Sequence, residues 1–352
     1  MSLDFLTSAF SYEFLVNVWF VLWCVIWAVY VIADSFCLGA GMLVPIAAYD
    51  RRVRQLANTI TPFWGGNQVW LILAAGGTFA AFPVIFARMF SWLYLPMMLL
   101  LIGLILRGLF VELVYHEKDE KLFNIFKWGW FAGSLLITVV LGVFFTNLFM
   151  GFPITVTGTE YIYTGTLLDL FNMKALLGAL AFVVLYMTAG CFWVAHRADG
   201  QLRESTLSTG KKLAVASAVF ALMLVISLFN TDGFAANYNE HIVLYAFPAL
   251  AVICALATIA LAFMKKTSEH PFYAFMTHMG LCGLAAATGL VTMYPFMMKS
   301  STTIGTGLSI FDTASSHLTL ALMFVAACAI VPIVIIYQLW AYTRFTEKVS
   351  EQ

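Results

Sequence analysis

The chain has 352 residues, of which 62% are hydrophobic, 16% aromatic and only 10% charged, with a mean hydropathy of +0.92. Soluble domains carry about 25% charged residues, so this composition excludes an ordinary soluble protein. Eighteen basic and eighteen acidic side chains cancel, leaving no global field to attract nucleic acid.

Runs of about 20 apolar residues match the ~30 Å thickness of a bilayer core. Read in chain order, they predict an all-α polytopic membrane protein, a single integral membrane domain over 1–352. Nine candidate helices fall at about 15–34, 66–87, 92–113, 128–150, 175–195, 213–229, 243–264, 272–296 and 318–341. No Lys or Arg precedes Arg51, so the charged leader of a secretory signal is missing and the first span is expected to remain in the chain. Apolar character runs on to residue 50, too far for one straight crossing at 1.5 Å per residue, which predicts a tilted or broken first helix with an extension.

Basic loops are retained in the cytoplasm. The loops after helices one, three, five and seven and the C-terminal tail hold fourteen basic residues, including Arg51, Arg52, Arg54, Lys127, Lys265, Lys266 and Lys348. The opposite loops hold only Arg88, Lys174 and Lys299. The asymmetry places the N-terminus outside and the C-terminus in the cytoplasm. The largest outer segment, 151–174, reads as a folded cap of turns.

A charge inside a spanning helix costs at least about 2.5 kcal/mol on insertion scales, which singles out Asp34, Arg107 and Glu112. Arg107 and Glu112 are five residues apart, so they do not share a helix face as an i,i+4 pair does. These groups read either as snorkelling charges or as a proton-conducting cluster in the cytoplasmic half. The entry to the second helix, Trp64-Gly65-Gly66-Asn67-Gln68-Val69-Trp70, sets two amides where they can pin neighbouring helices or hold water. Gly39-Ala40-Gly41 and Gly76-Gly77 read as small residues permitting close helix approach. Asp312 or Thr313 reads as the N-cap of the ninth helix, with a lipid or quinone headgroup site as the alternative reading of this outer, hydroxyl-rich segment. The six cysteines are scattered one to a segment and read as apolar core residues. Only His278 lies well inside a span, without a partner at matching depth, which argues against a haem ligated by this chain alone. No P-loop or metal-ligating cluster is present in the sequence.

These motifs closely resemble subunit II of the cytochrome bd family of bacterial ubiquinol oxidases. The resemblance runs in order through Ala33-Asp34-Ser35-Phe36, Gly39 to Leu43, the Trp64 to Leu71 motif with its Trp64, Gly66 and Trp70, then Arg107 with Glu112. It continues through Asn147 to Pro153, Asp232-Gly233, Pro295-Phe296, Ser300-Ser301-Thr302 and Asp312 to Ser316. It implies two four-helix bundles plus one peripheral helix in the bacterial inner membrane. It implies a heterodimer with a subunit I that carries two b-type haems and haem d, oxidises quinol and reduces dioxygen to water, with small single-helix accessory subunits in some complexes. In some members a structural ubiquinone is tightly bound. The resemblance associates Asp34, Arg107 and Glu112 with proton supply, and Asn67 and Gln68 join them as candidates for holding water. Family members carry acids where this chain has Gly65 and Cys37, so two titratable steps are missing. A secondary transporter, or a purely structural membrane partner, are the competing readings.

Overall fold

The computed structural model describes residues 8–47, 49–157, 160–264, 270–345 and 347–350. Lys265 and Lys266 lie outside the described residues. The first helix, α1 (Tyr12–Met42), is one continuous rod of 31 residues, about 46 Å long at 1.5 Å per residue. It breaks at Leu43 and continues as α2 (Val44–Ala47) and the amphipathic α3 (Asp50–Ile60), the extension expected from the length of the apolar run.

The second expected span is broken. Helix α4 (Trp64–Ala81) and helix α5 (Pro83–Trp92) meet at 119°. Proline cannot donate its backbone nitrogen to a preceding turn but fits the first turn of a new helix, and Phe82 between them has non-helical torsions. Next come α6 (Tyr94–His116), α7 (Glu120–Met150), α8 (Met173–Arg197), α9 (Gly200–Phe229), the short α10 (Ala236–Glu240), α11 (Ala246–Phe263) and α12 (Phe272–Leu290). A short α13 (Ile310–Thr313) precedes the last helix, α14 (His317–Arg344). Seven helices among the described residues are long and apolar enough to span a bilayer, and the bent pair makes eight if it is one span. The eighth candidate, α12, is a 19-residue helix made more polar by Thr277 and His278.

Helices α1, α4, α6 and α7 pack as one group and α8, α9, α11 and α12 as a second, joined where α1 and α7 meet α8. Helix α14 is peripheral, with only 11% of its apolar stretch buried. With no hydrophobic force between helices in lipid, close backbone approach drives the packing, and glycines mark the crossings. A Cβ on Gly39 would lie 1.9 Å from the Tyr186 carbonyl oxygen, and one on Gly190 would lie 2.5 Å from Gly39. Gly103 meets Gly133 across α6 and α7, and Gly142 meets Gly178 across α7 and α8, where an added Cβ would lie 2.9–3.3 Å from the facing glycine carbonyl oxygen. Gly76 and Gly77 do not work this way: a Cβ on either meets nothing within 4 Å. They line a cavity instead.

The basic loops gather at one end. Arg54 donates to the carbonyls of Val114, Tyr115 and Glu117 at 3.3, 3.2 and 2.5 Å, closing the C-terminus of α6 with positive charge. Arg52 bonds Gln201, Lys127 pairs with Asp50 at 3.1 Å, and Gln55 holds the tail through the Val349 carbonyl at 2.7 Å. At the opposite end, segment 151–174 folds into a hairpin, β1 (Ile154–Thr157) with β2 (Glu160–Tyr163). A second hairpin, β3 (Phe296–Lys299) with β4 (Gly307–Ser309), is bridged to it through Phe152 and Ser300. This cap is more regular than the turns expected there. The cap of α14 also departs from expectation. Ser316 accepts from the Thr319 amide, whereas Asp312 and Thr313 sit within α13, which Ser309 caps.

Gly190→Val should abolish the α1–α8 crossing, since overpacking costs about 1–3 kcal/mol even where neighbours can yield and here the obstacle is backbone. Gly76→Ala should leave stability within about 1 kcal/mol or raise it. Thermal unfolding of the purified protein in mild detergent distinguishes the two.

Candidate functional site

Asp34 and Arg107 are both fully buried. The arginine reaches from α6 to α1 and grips the carboxylate with both terminal nitrogens, Nη1 to Oδ2 at 2.7 Å and Nη2 to Oδ1 at 2.6 Å. Two parallel charge-assisted bonds are the strongest pairing the two groups can make. In a hydrocarbon surround the pairing also removes the cost of two isolated charges. On its far side the guanidinium stands 5.7 Å from the Trp64 ring, a cation–π contact. The indole Nε1 of Trp64 then donates to Glu112 Oε1 at 3.0 Å. Asp34, Arg107, Trp64 and Glu112 thus form a continuous file from the core to the surface.

Glu112 ends that file exposed. The five-residue offset from Arg107 puts it on another face of α6, and Trp64 from α4 links the two. The sequence marked the charges and marked Trp64 as a motif residue, but not as the link between them.

The amides diverge. Asn67 is fully buried; its Nδ2 donates to the Ala33 carbonyl at 2.7 Å and contacts Cys37 Sγ at 3.4 Å. Its Oδ1 accepts from Tyr342 Oη at 2.7 Å and Gln338 Nε2 at 3.2 Å. Trp70 Nε1 donates to Gln338 Oε1 at 2.7 Å. The Trp64 to Trp70 motif therefore has three duties: its first tryptophan serves the charge file, Asn67 pins α1 to α14, and the second tryptophan secures α14 again. Gln338 and Tyr342 were missed in the sequence, although two polar groups at i,i+4 spacing in an apolar helix were the available signal. Gln68 is only half-buried and its Oε1 has no hydrogen-bond partner among the described residues. Gly65 and Gly66 are exposed, with open space where a Cβ would point.

His278 is buried on α12 with Nε2 2.8 Å from the Leu185 carbonyl oxygen and Nδ1 without a hydrogen-bond partner among the described residues. Among the described residues no three His, Cys, Asp or Glu side chains gather as a metal site. A large side-opening cavity of about 1340 Å³ lies between α1, α4, α12 and α14. Its walls are almost wholly apolar, with Gly76 and Gly77 on one side and Gln338 and Tyr342 among its few polar groups.

The sequence profile described as Cytochrome bd terminal oxidase subunit II matches residues 15–345. The chain belongs to that family. It is 32% identical over 373 residues to the cytochrome bd-I ubiquinol oxidase subunit 2 of Escherichia coli K12, an alignment covering 97% of each chain. It is 30% identical to the cytochrome bd ubiquinol oxidase subunit 2 of Bacillus subtilis, over 96% of this chain and 97% of that one. The fold matches a chain of the bd oxidase from Geobacillus thermodenitrificans with a TM-score of 0.74, covering 95% of this chain and 99% of that chain at 17% identity. In this member of the bd subunit II family, the charge pair, the Trp64 to Trp70 motif and α14 are mechanically connected through α1 and α4.

Asp34→Asn should leave Arg107 buried and uncompensated, destabilising the protein by about 3–5 kcal/mol. Replacing both residues by leucine should recover most of that loss. Unfolding midpoints of the single and double variants are the check, and an Asp34→Asn protein as stable as its parent would contradict the pairing.

Proposed function

We propose that this chain is the haem-free subunit II of a cytochrome bd-type ubiquinol oxidase, in which a partner subunit I carries two b-type haems and haem d. In this reading the complex oxidises quinol and reduces dioxygen to water. Reduction of dioxygen to water consumes as many protons as electrons, so drawing those protons from the cytoplasm builds proton-motive force. Family membership supports the oxidase assignment.

The observation that carries the chain's own role is the file from Glu112 through Trp64 and Arg107 to Asp34. Glu112 is the exchangeable group, a carboxylate at the exposed end. Asp34, clamped at both oxygens, ends the file with its charge balanced by the guanidinium. Arg107 fixes its position. Asn67 has its donor and acceptor committed to two other helices, α1 and α14, so it is a structural tie, whereas the open acceptor of Gln68 suits a bound water. Nothing crowds position 65, so the chain has not filled the place of the absent family acid with another group.

On this reading the basic end faces the cytoplasm and the double hairpin faces outward. The gathering of Arg52, Arg54, Lys127 and Lys348 around α3 supports one common side for the basic loops. The large cavity fits a structural ubiquinone: its apolar walls suit an isoprenoid tail, and Arg197, which also lines it, has guanidinium nitrogens without a partner among the described residues to donate to a quinone oxygen. A quinone there would serve as packing, with no step of the reaction assigned to it. Small accessory subunits and lipid complete the assembly.

Glu112→Gln, in a complex with unchanged haem content, should slow quinol-driven oxygen uptake by at least about tenfold, within the range typical of lost proton-transfer groups. Proton uptake should fall in step. Unchanged turnover with unchanged proton uptake would remove the proton role from this file.

A further inference from the structure

At the end opposite the basic loops a second cavity, of about 720 Å³, is enclosed by the start of α1, the α9–α10 connection, α10 and the 291–306 segment. It draws together two stretches that the charge-pair account leaves unused, Asp232-Gly233 and Ser300-Ser301. Of the three basic residues in the loops of this end, two, Lys174 and Lys299, line it although they are far apart in sequence. Arg88, the third, stacks on Trp92 instead. Basic residues are scarce on the outer side of a membrane protein, so the convergence of two of them on one cavity calls for a physical reason.

The two lysines are half-buried. Lys174 donates to Thr231 Oγ1 at 2.6 Å. Lys299 has neither a hydrogen bond to its ammonium nor an ion pair among the described residues, and burial pulls its pKa down to about 8. An amine held where its charge is penalised, with no carboxylate beside it, is a cation lacking its anion. Asp232 and Glu240 also line the cavity, but both are exposed at its rim and pair with neither lysine. The charges are therefore sorted: positive within, negative at the mouth. Beside them the wall turns apolar through Phe20, Leu244 and Val21, the last 58% exposed on the lipid-facing side of α1.

We propose that this cavity binds the headgroup of a zwitterionic phospholipid, a phosphate diester bearing a primary ammonium, with the phosphate on Lys299 and Lys174 and the ammonium on Asp232 and Glu240. The acyl chains leave along Phe20 and Val21. An anionic lipid would satisfy the lysines but face the rim acids without a counter-charge, which sets the preference for the zwitterion. The site uses the outward orientation proposed above for the double hairpin, and is independent of the proton file.

Native mass spectrometry of the intact, delipidated two-subunit complex tests this, with phosphatidylethanolamine, phosphatidylglycerol or inorganic phosphate as the added probe. The parent complex should retain one phosphatidylethanolamine more tightly than phosphatidylglycerol. Lys299→Gln should weaken that retention at least about tenfold, and Lys299→Arg should preserve it. Asp232→Asn with Glu240→Gln, both at the exposed rim and so safe for folding, should erase the preference over phosphatidylglycerol. Equal retention of the two lipids by the parent complex, retention unaffected by the rim substitutions, or capture of inorganic phosphate to the exclusion of lipid would each overturn the proposal.

Discussion

A guanidinium closed on a carboxylate inside an apolar bundle is the constraint on which the arrangement depends. Neither Asp34 nor Arg107 could stay charged alone in the membrane at tolerable cost. Their union is therefore required for both helices to sit where they do. The length and planar fork of arginine matter, because the side chain must cross from α6 to α1 and meet both oxygens at once. Close approach of α6 and α7 at Gly103 and Gly133 packs the backbone beside Arg107, and the Gly39–Gly190 crossing holds the next part of α1 against α8. Small residues set the spacing, and the ion pair sets the rotation.

From that anchored α1 the polar contacts run in two directions. One passes through the Trp64 ring to the surface at Glu112; the other passes through Asn67 to Gln338 and Tyr342, holding a last helix that has little buried surface of its own. The same seven-residue motif serves both because a helix start presents its residues in several directions within two turns. Loss of Asn67 would remove the Tyr342 tie and leave α14 held through Trp70 and Trp19.

Much of the fold was legible because a bilayer demands long apolar runs and basic loops, and both leave plain marks in a sequence. The bend at Phe82 and Pro83 was not, since a proline inside a continuous apolar stretch does not reveal the direction in which the chain departs. Asp34, Arg107 and Glu112 were each conspicuous as expensive charges, yet the Asp34–Arg107 pairing lies between different helices 73 positions apart. No spacing rule reaches that far. Gly76 and Gly77 looked like packing residues because small side chains mark both helix crossings and cavity walls, and composition cannot separate the two. The α14 cap fell to Ser316 for a similar reason: several hydroxyl and carboxyl side chains stood in line, and only backbone geometry selects one. The family resemblance implied what physical reading of one chain could not, a haem-bearing partner.

The central claim is that this chain supports and supplies an oxidase without holding its haems. It is tested most directly by a reduced-minus-oxidised visible spectrum, with pyridine haemochrome analysis, of the complex recovered through a tag on this chain. The account predicts haem d and b-type bands that depart with a second subunit when the complex is split, leaving this chain colourless. Haem retained on the isolated chain, or a colourless and oxygen-inert preparation that is stable without any partner, would contradict it.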